Sequence, residues 1–170
     1  VPSLSTAYLA GPVTAYVALG SNLGDRRAHL EAAFAALDSL PGTRLLARSS
    51  LFETPPLGPA GQQDYLNAAA ALSTLLAPEA LLDALLDVEI ARGRVRRERW
   101  GPRTLDLDLL LHGETSLATP RLTLPHPAML GRAFVLAPLA EIAPELPVSG
   151  RSIAQHLALL DQSGIRRLDS

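Results

Sequence analysis

Arg92–Leu111 reads RGRVRRERWGPRTLDLDLLL, and the rest of the chain is organised around it. Six of the fifteen arginines fall between Arg92 and Arg103, and Asp106 and Asp108 follow with one leucine between them. Successive side chains on a strand point to opposite faces, so the two aspartates would share a face while Leu105, Leu107 and Leu109 turn into a core. Two carboxylates side by side beneath a basic loop are costly unless a cation sits between them. A hard divalent ion fits, because magnesium is usually held by one or two carboxylates together with substrate phosphates. The arginines would then bind the phosphate oxygens that the metal leaves free. The pattern therefore points to a polyphosphate site, above all ATP with magnesium. Two plainer alternatives stay open at this point: a half-solvated strand has the same alternation, and an arginine run also serves as a solvated face or a nucleic-acid patch. Trp100 and Gly101-Pro102 interrupt the basic run in the manner of a loop rather than a helix.

At 170 residues and 48% hydrophobic, the chain has the size and composition of one soluble globular domain. A net charge of −2 argues against partners such as nucleic acid or a membrane surface. With no cysteine there are no disulfides, thiol nucleophiles or thiolate metal sites, which fits a reducing compartment. With no lysine, a Walker-type phosphate loop and Schiff-base chemistry are both excluded. No apolar run is long enough to span a bilayer. The opening VPSLSTAYLAGPVT, residues 1–14, carries no positive charge and reads as a flexible tail before a single domain over 15–170. The expected location is cytoplasmic and the expected assembly a monomer.

Working outward, the apolar run Ala15 to Leu19 predicts a buried strand ending at a small-residue turn. A helix is expected from about Asp25, its cap, to Leu40, with Leu30, Phe34 and Leu37 on its apolar side. Arg44 to Glu53 and Tyr65 to Leu76 read as strands, separated by a proline-stiffened loop. A second helix starts near Pro78 and ends by Gly93. After the basic stretch come a strand over Thr104 to Leu111, a short one near Leu122 to Leu124, helix from Met129 to Glu141 interrupted by Pro138, and a final helix capped by Ser152. The order predicts an α+β fold: a ferredoxin-like, mostly antiparallel sheet with helices on one face and additional C-terminal elements.

Four stretches carry a family resemblance. Arg99 to Asp108 (RWGPRTLDLD), Ala18 to Gly24 (ALGSNLG), Thr54 to Pro59 (TPPLGP) with Asp64 to Asn67 (DYLN), and Pro125-His126-Pro127 with Arg132-Ala133-Phe134 all resemble the 6-hydroxymethyl-7,8-dihydropterin pyrophosphokinase family. They occur in that family's order and spacing over about Ala15 to Leu146. The resemblance implies the same fold, transfer of a diphosphate from ATP to a pterin alcohol in folate synthesis, and two magnesium ions on Asp106 and Asp108. It implies that Arg94, Arg96 and Arg103 grip the triphosphate, with Arg99 beside them and Trp100 covering the site. By resemblance, Tyr65 and Phe134 clamp the pterin, and Asn67 with the backbone of Thr54, Pro55 and Leu57 reads its edge. Arg121, Thr123, His126 and Arg132 fall on the nucleotide, and Glu89 is an acidic residue near it. Leu86, Ala128 and a shorter basic loop depart from the family's pattern and bear on the adenine side, not on the aspartates. Two other classes make different demands on the sequence. A silent nucleotide-sensing module would lack a metal ligand or clamp residue, and none is missing. An RNA-binding domain would carry aromatics on its sheet face, and these strands are rich in alanine and leucine.

Overall fold

The structure, a computed structural model, describes residues 7–55, 61–93 and 104–168. In chain order these form β1 (Tyr8–Ser21), α1 (Arg26–Asp38), β2 (Thr43–Arg48), β3 (Phe52–Thr54), β4 (Tyr65–Leu76), α2 (Pro78–Ala91), β5 (Asp106–His112), β6 (Leu117–Ala118) and β7 (Thr123–Leu124). A 3-10 turn at Met129–Gly131 follows, then α3 (Ala133–Ile142), β8 (Pro147–Val148), β9 (Arg151–Ser152), α4 (Ile153–Ala158) and β10 (Arg166–Arg167).

Local chemistry accounts for the helix ends. The Asp25 carboxylate accepts from Ala28 N at 3.0 Å and so caps α1. Leu30, Ala33, Phe34 and Leu37 recur at helical spacing and are all buried. Pro78 opens α2, where its missing N–H costs nothing, and Gly93 follows its end at φ +80°, a conformation glycine adopts without strain. Ser152 and Gln155 form a reciprocal capping box on α4.

β4 is the centre of an antiparallel sheet. It pairs with β1 on one side and, on the other, with β3 near Tyr65 and β2 near Thr74. β5 joins the far side of β1, and β10 the far side of β3. The order is β10-β3-β4-β1-β5, with β2 sharing the edge of β4. With β2 and β3 sharing one edge of β4, the run β1, α1, β2/β3, β4, α2, β5 follows the ferredoxin-like plan.

Four expectations change. Residues 8–14 are not tail but the first half of β1: Val13 and Thr14 pair with Thr74 and Ser73, and Ala77 N donates to Ala7 O at 2.8 Å. Gly11 and Pro12 disguise this strand and sit at its register shift, where a missing N–H is tolerated. The strand read as Arg44 to Glu53 is two strands, broken at Ser49, whose backbone N and Oγ both bond the backbone of Ala69. Helices also cover both faces of the sheet. α1 and α2 pack with Leu19, Leu72 and Leu107, whereas α3 and α4 pack with Ala18, Ala69 and Leu110. Strands buried on both sides read as continuous apolar runs, and the AAAAL run of β4 is one. The helix expected from Met129 to Glu141 is interrupted at Arg132, between the 3-10 turn and α3, and not at Pro138, which lies within α3.

Candidate active site

β5 places its aspartates as alternation requires. Leu105, Leu107 and Leu109 are buried against α1 and α2, while Asp106 and Asp108 are half-buried on the opposite face. The strand register then carries that face across the sheet. Asp106 stands opposite Gly20, Gly20 opposite Asn67, and Asn67 opposite Phe52. Directly opposed residues of antiparallel strands project to the same side. Asp106 and Asn67 are therefore two strand spacings apart, about 10 Å, with only a glycine between them. A Cβ on Gly20 would lie 3.3 Å from Asn67 Oδ1 and 3.6 Å from Tyr65 Cδ1, so the missing side chain keeps the floor between carboxylate and amide low.

The Asn67 end is a closed polar arrangement. Asn67 Nδ2 donates to Thr54 Oγ1 at 2.8 Å, and both residues are 6% exposed. This turns Oδ1 toward Gly20, as an acceptor for an N–H at a heterocycle's edge. Tyr65 lies two residues before on the same face. Phe134 on α3 packs half-buried against the core of that face, with the Arg132 guanidinium 5.8 Å from its ring centroid.

The outer edge of β5 is covered by the segment that carries His126. His126 N donates to Leu110 O at 2.9 Å, and its Nδ1 accepts from Ala128 N at 3.1 Å. In the neutral ring the proton is then on Nε2, a donor. Burial holds the imidazole below its usual pKa, Asp108 works against that, and Arg132 adds to it.

All of these site residues fall within the part of the chain that matches a known family. Residues 16–144 match the family of 7,8-dihydro-6-hydroxymethylpterin-pyrophosphokinase (HPPK). The chain belongs to the HPPK family. A Pseudomonas aeruginosa protein named 2-amino-4-hydroxy-6-hydroxymethyldihydropteridine pyrophosphokinase is 54% identical over 154 residues, 90% of this chain and 95% of that one. Proteins of the same name from Methylorubrum extorquens and Bacillus subtilis are 48% and 43% identical, over 91% and 89% of this chain and 98% and 88% of theirs. A crystal structure of HPPK-DHPS in complex with substrates superposes with a TM-score of 0.76 at 12% identity, covering 95% of this chain and 47% of that one. Plasmodium falciparum HPPK-DHPS with pteroate gives 0.71 at 13%, covering 92% and 46%. This chain thus spans about half the length of those solved chains, and the likeness to them is one of fold.

Within this HPPK domain the expected site residues fall into three groups. Asp106, Asp108, Thr54, Tyr65, Asn67, Phe134, His126 and Arg132 lie on or beside the face just described, and Pro55 follows β3 directly. Arg94, Arg96, Arg99, Trp100, Arg103 and Leu57 lie outside the described residues. Arg121, Thr123 and Glu89 have surroundings that the sequence did not reveal. Arg121 is ion-paired with Asp83 and with Glu79 (3.8 Å) on α2, and Thr123 is exposed on β7. Glu89 is 3% exposed, not a solvated helix charge, and its Oε2 accepts from Leu107 N at 2.7 Å. That bond grips β5 at the residue between the two aspartates, from the other side of the sheet. Asn22 belongs to the ALGSNLG stretch and to the turn after β1. It is 1% exposed, and its Nδ2 donates to Gln62 Oε1 at 2.8 Å, tying the turn after β1 to the segment before β4. Nothing local marks Asn22 for this, because its partner is forty residues away.

Proposed function

We propose that the face running from Asp106 through Gly20 to Asn67 is where the family's reaction takes place in this protein. The protein is an ATP-dependent diphosphotransferase of folate biosynthesis. It transfers the diphosphate of ATP to the hydroxymethyl group of 6-hydroxymethyl-7,8-dihydropterin and releases AMP. The observation that carries the assignment is the row itself: a carboxylate pair and a hydrogen-bonding amide on one face, about 10 Å apart, with a glycine floor between.

Asp106 and Asp108 suit magnesium. They are hard oxygen donors on one face, and among the described residues no third acid or histidine completes a protein cage around them. Magnesium accepts such a site because phosphate and water fill its remaining positions. When bound, it supplies charge neutralisation for the triphosphate and acidity for a coordinated hydroxyl. Two ions are the proposed number. Glu89 acts indirectly, by holding the Leu107 amide and with it the aim of both carboxylates. His126 offers Nε2–H to a phosphate oxygen, and burial keeps the ring neutral at neutral pH. Arg94, Arg96 and Arg103 are assigned to the triphosphate charge, with Arg99, Arg121, Thr123 and Arg132 on the nucleotide. Arg121 must leave Asp83 and Glu79 to take part. Tyr65 and Phe134 are assigned to the two faces of the pterin, with Trp100 as cover. Asn67 and the backbone of Thr54, Pro55 and Leu57 are assigned to its edge.

With both substrates held, the hydroxymethyl oxygen attacks the β-phosphorus and loses its proton. The bond from the β-phosphorus to the oxygen bridging the α-phosphorus breaks, and AMP leaves with that oxygen. Such a transfer asks the protein mainly for alignment and charge stabilisation. Among the described residues no helix is long and apolar enough to cross a membrane. A cytoplasmic monomer acting on small-molecule substrates is the proposed setting, which fits the absence of cysteine. Chromatography of the nucleotides after incubation with ATP, magnesium and the reduced hydroxymethylpterin tests the reaction. AMP is expected in step with pterin diphosphate and only with a divalent ion present; ADP as the stoichiometric product would overturn it.

A further inference from the structure

The start of α1 carries charges that a helix does not favour. Arg26 and Arg27 occupy its first turn, which has no acidic residue, although the dipole there disfavours cations. Arg26 is nevertheless turned inward. Its Nη1 donates to Glu53 Oε2 at 3.0 Å and to the carbonyl oxygen of Asp64 at 2.7 Å. The side chains of Arg26 and Glu53 are only 24% and 15% exposed. Glu53 immediately precedes Thr54, and Asp64 immediately precedes Tyr65. Thr54 and Tyr65 are themselves the last cross-strand pair of β3 and β4. One guanidinium nitrogen therefore bridges both strands at the open end of their ladder, where pairing is weakest. The other Glu53 oxygen accepts from Arg166 of β10, so the same carboxylate also docks the C-terminal strand. Gly164 closes that side at φ +82°, where a Cβ would stand 3.4 Å from Pro55.

We propose that Arg26 is a positioning residue for pterin recognition, holding Glu53 and Asp64 together so that Thr54, Tyr65 and Asn67 present one rigid edge to the heterocycle. The proposal rests on the assignment of those three residues to the pterin. Arg26 does not touch the reacting atoms, so its loss should loosen one substrate and not the other. A charge-assisted hydrogen bond in a half-buried setting sets the scale, about tenfold in affinity.

The test is steady-state kinetics on the full chain for Arg26→Gln, Arg26→Lys and, in parallel, Asn67→Ala, each with a thermal melt. Arg26→Gln should raise the pterin KM about tenfold while kcat and the KM for magnesium-ATP stay within about twofold. Arg26→Lys, whose ammonium can serve both acceptors, should restore most of the pterin affinity. A pterin KM unchanged in Arg26→Gln but raised in Asn67→Ala overturns the positioning role alone. Unchanged values in both overturn the assignment of the pterin edge, and this proposal with it. Both KM values rising together with a falling melting temperature, unrelieved by lysine, would make Arg26 a merely structural residue and also overturn it.

Discussion

The two ends of the Asp106–Gly20–Asn67 row are built on opposite principles. At one end, Asp106 and Asp108 are near neighbours in sequence, share a face by alternation alone and repel each other. At the other, Thr54 and Asn67 come from different strands, and the buried Asn67 amide N–H is satisfied by the Thr54 hydroxyl oxygen. The first end gathers two like charges on one strand face, a donor set that suits a hard cation. The second is braced by an internal hydrogen bond before any ligand arrives. The metal end should therefore be costly to catalysis and cheap to stability when altered, and the pterin edge should cost both.

The largest expected effect is on turnover. Asp108→Ala should lower pterin-dependent AMP release by roughly 10³-fold, since several kcal/mol of charge stabilisation is lost with the metal. Its melting temperature should stay level or rise slightly, because one of two like charges is gone. Paired thermal melts and kinetics on one preparation decide it. A large drop in melting temperature with activity retained would erase the contrast between the two ends. Thr54→Val is the matching change at the pterin edge. It keeps the shape but leaves Asn67 Nδ2 buried without its acceptor, at about 2 kcal/mol. For a chain of this length that is roughly 4–8 °C in melting temperature. Pterin KM should rise at the same time, and an unshifted melt would mean that the Thr54–Asn67 bond does not hold the edge.

The smallest effect lies at α1, which serves both ends. While Arg26 reaches the pterin edge, His29 on the next turn accepts from Arg92 Nε at 3.1 Å, just ahead of the basic stretch. Burial, with help from Arg92 and against Asp25, holds the His29 pKa below its ordinary 6.5. The folded state thus favours the neutral ring, and the unfolded chain binds more protons in between. The stability this contributes is present above pH 6.5 and is lost as pH falls through the lowered folded value. His29→Gln, which cannot titrate, should show a slightly smaller loss of melting temperature between pH 7.5 and 5.5 than the unaltered protein. Identical slopes would separate His29 from the anchoring of Arg92.

Much of this was legible because its causes are local. β4 runs from Tyr65 to Leu76, Asp25 caps α1, Pro78 opens α2, and Leu105, Leu107 and Leu109 are buried away from the aspartates, all as the sequence indicates. Caps, first-turn prolines and twofold alternation depend on residues within a few positions of one another. The first half of β1 was hidden because Gly11 and Pro12 are poor strand formers, and only pairing with the far end of β4 makes a strand there. The break at Ser49 depends likewise on Ala69, twenty residues on.

By itself, then, the sequence determined the chemistry: a carboxylate pair on one strand face, an arginine-rich neighbour, no lysine or cysteine, and the motifs of one family. Tertiary structure alone decided what those groups are held by. The Glu89 carboxylate reaches the Leu107 amide, Asn22 reaches Gln62, Arg26 joins Glu53 to Asp64, and Arg121 turns to Asp83. A helix carboxylate or arginine looks the same in sequence whether it is solvated or bridged. The difference is desolvation and a partner brought from far along the chain, and only the packed sheet supplies both.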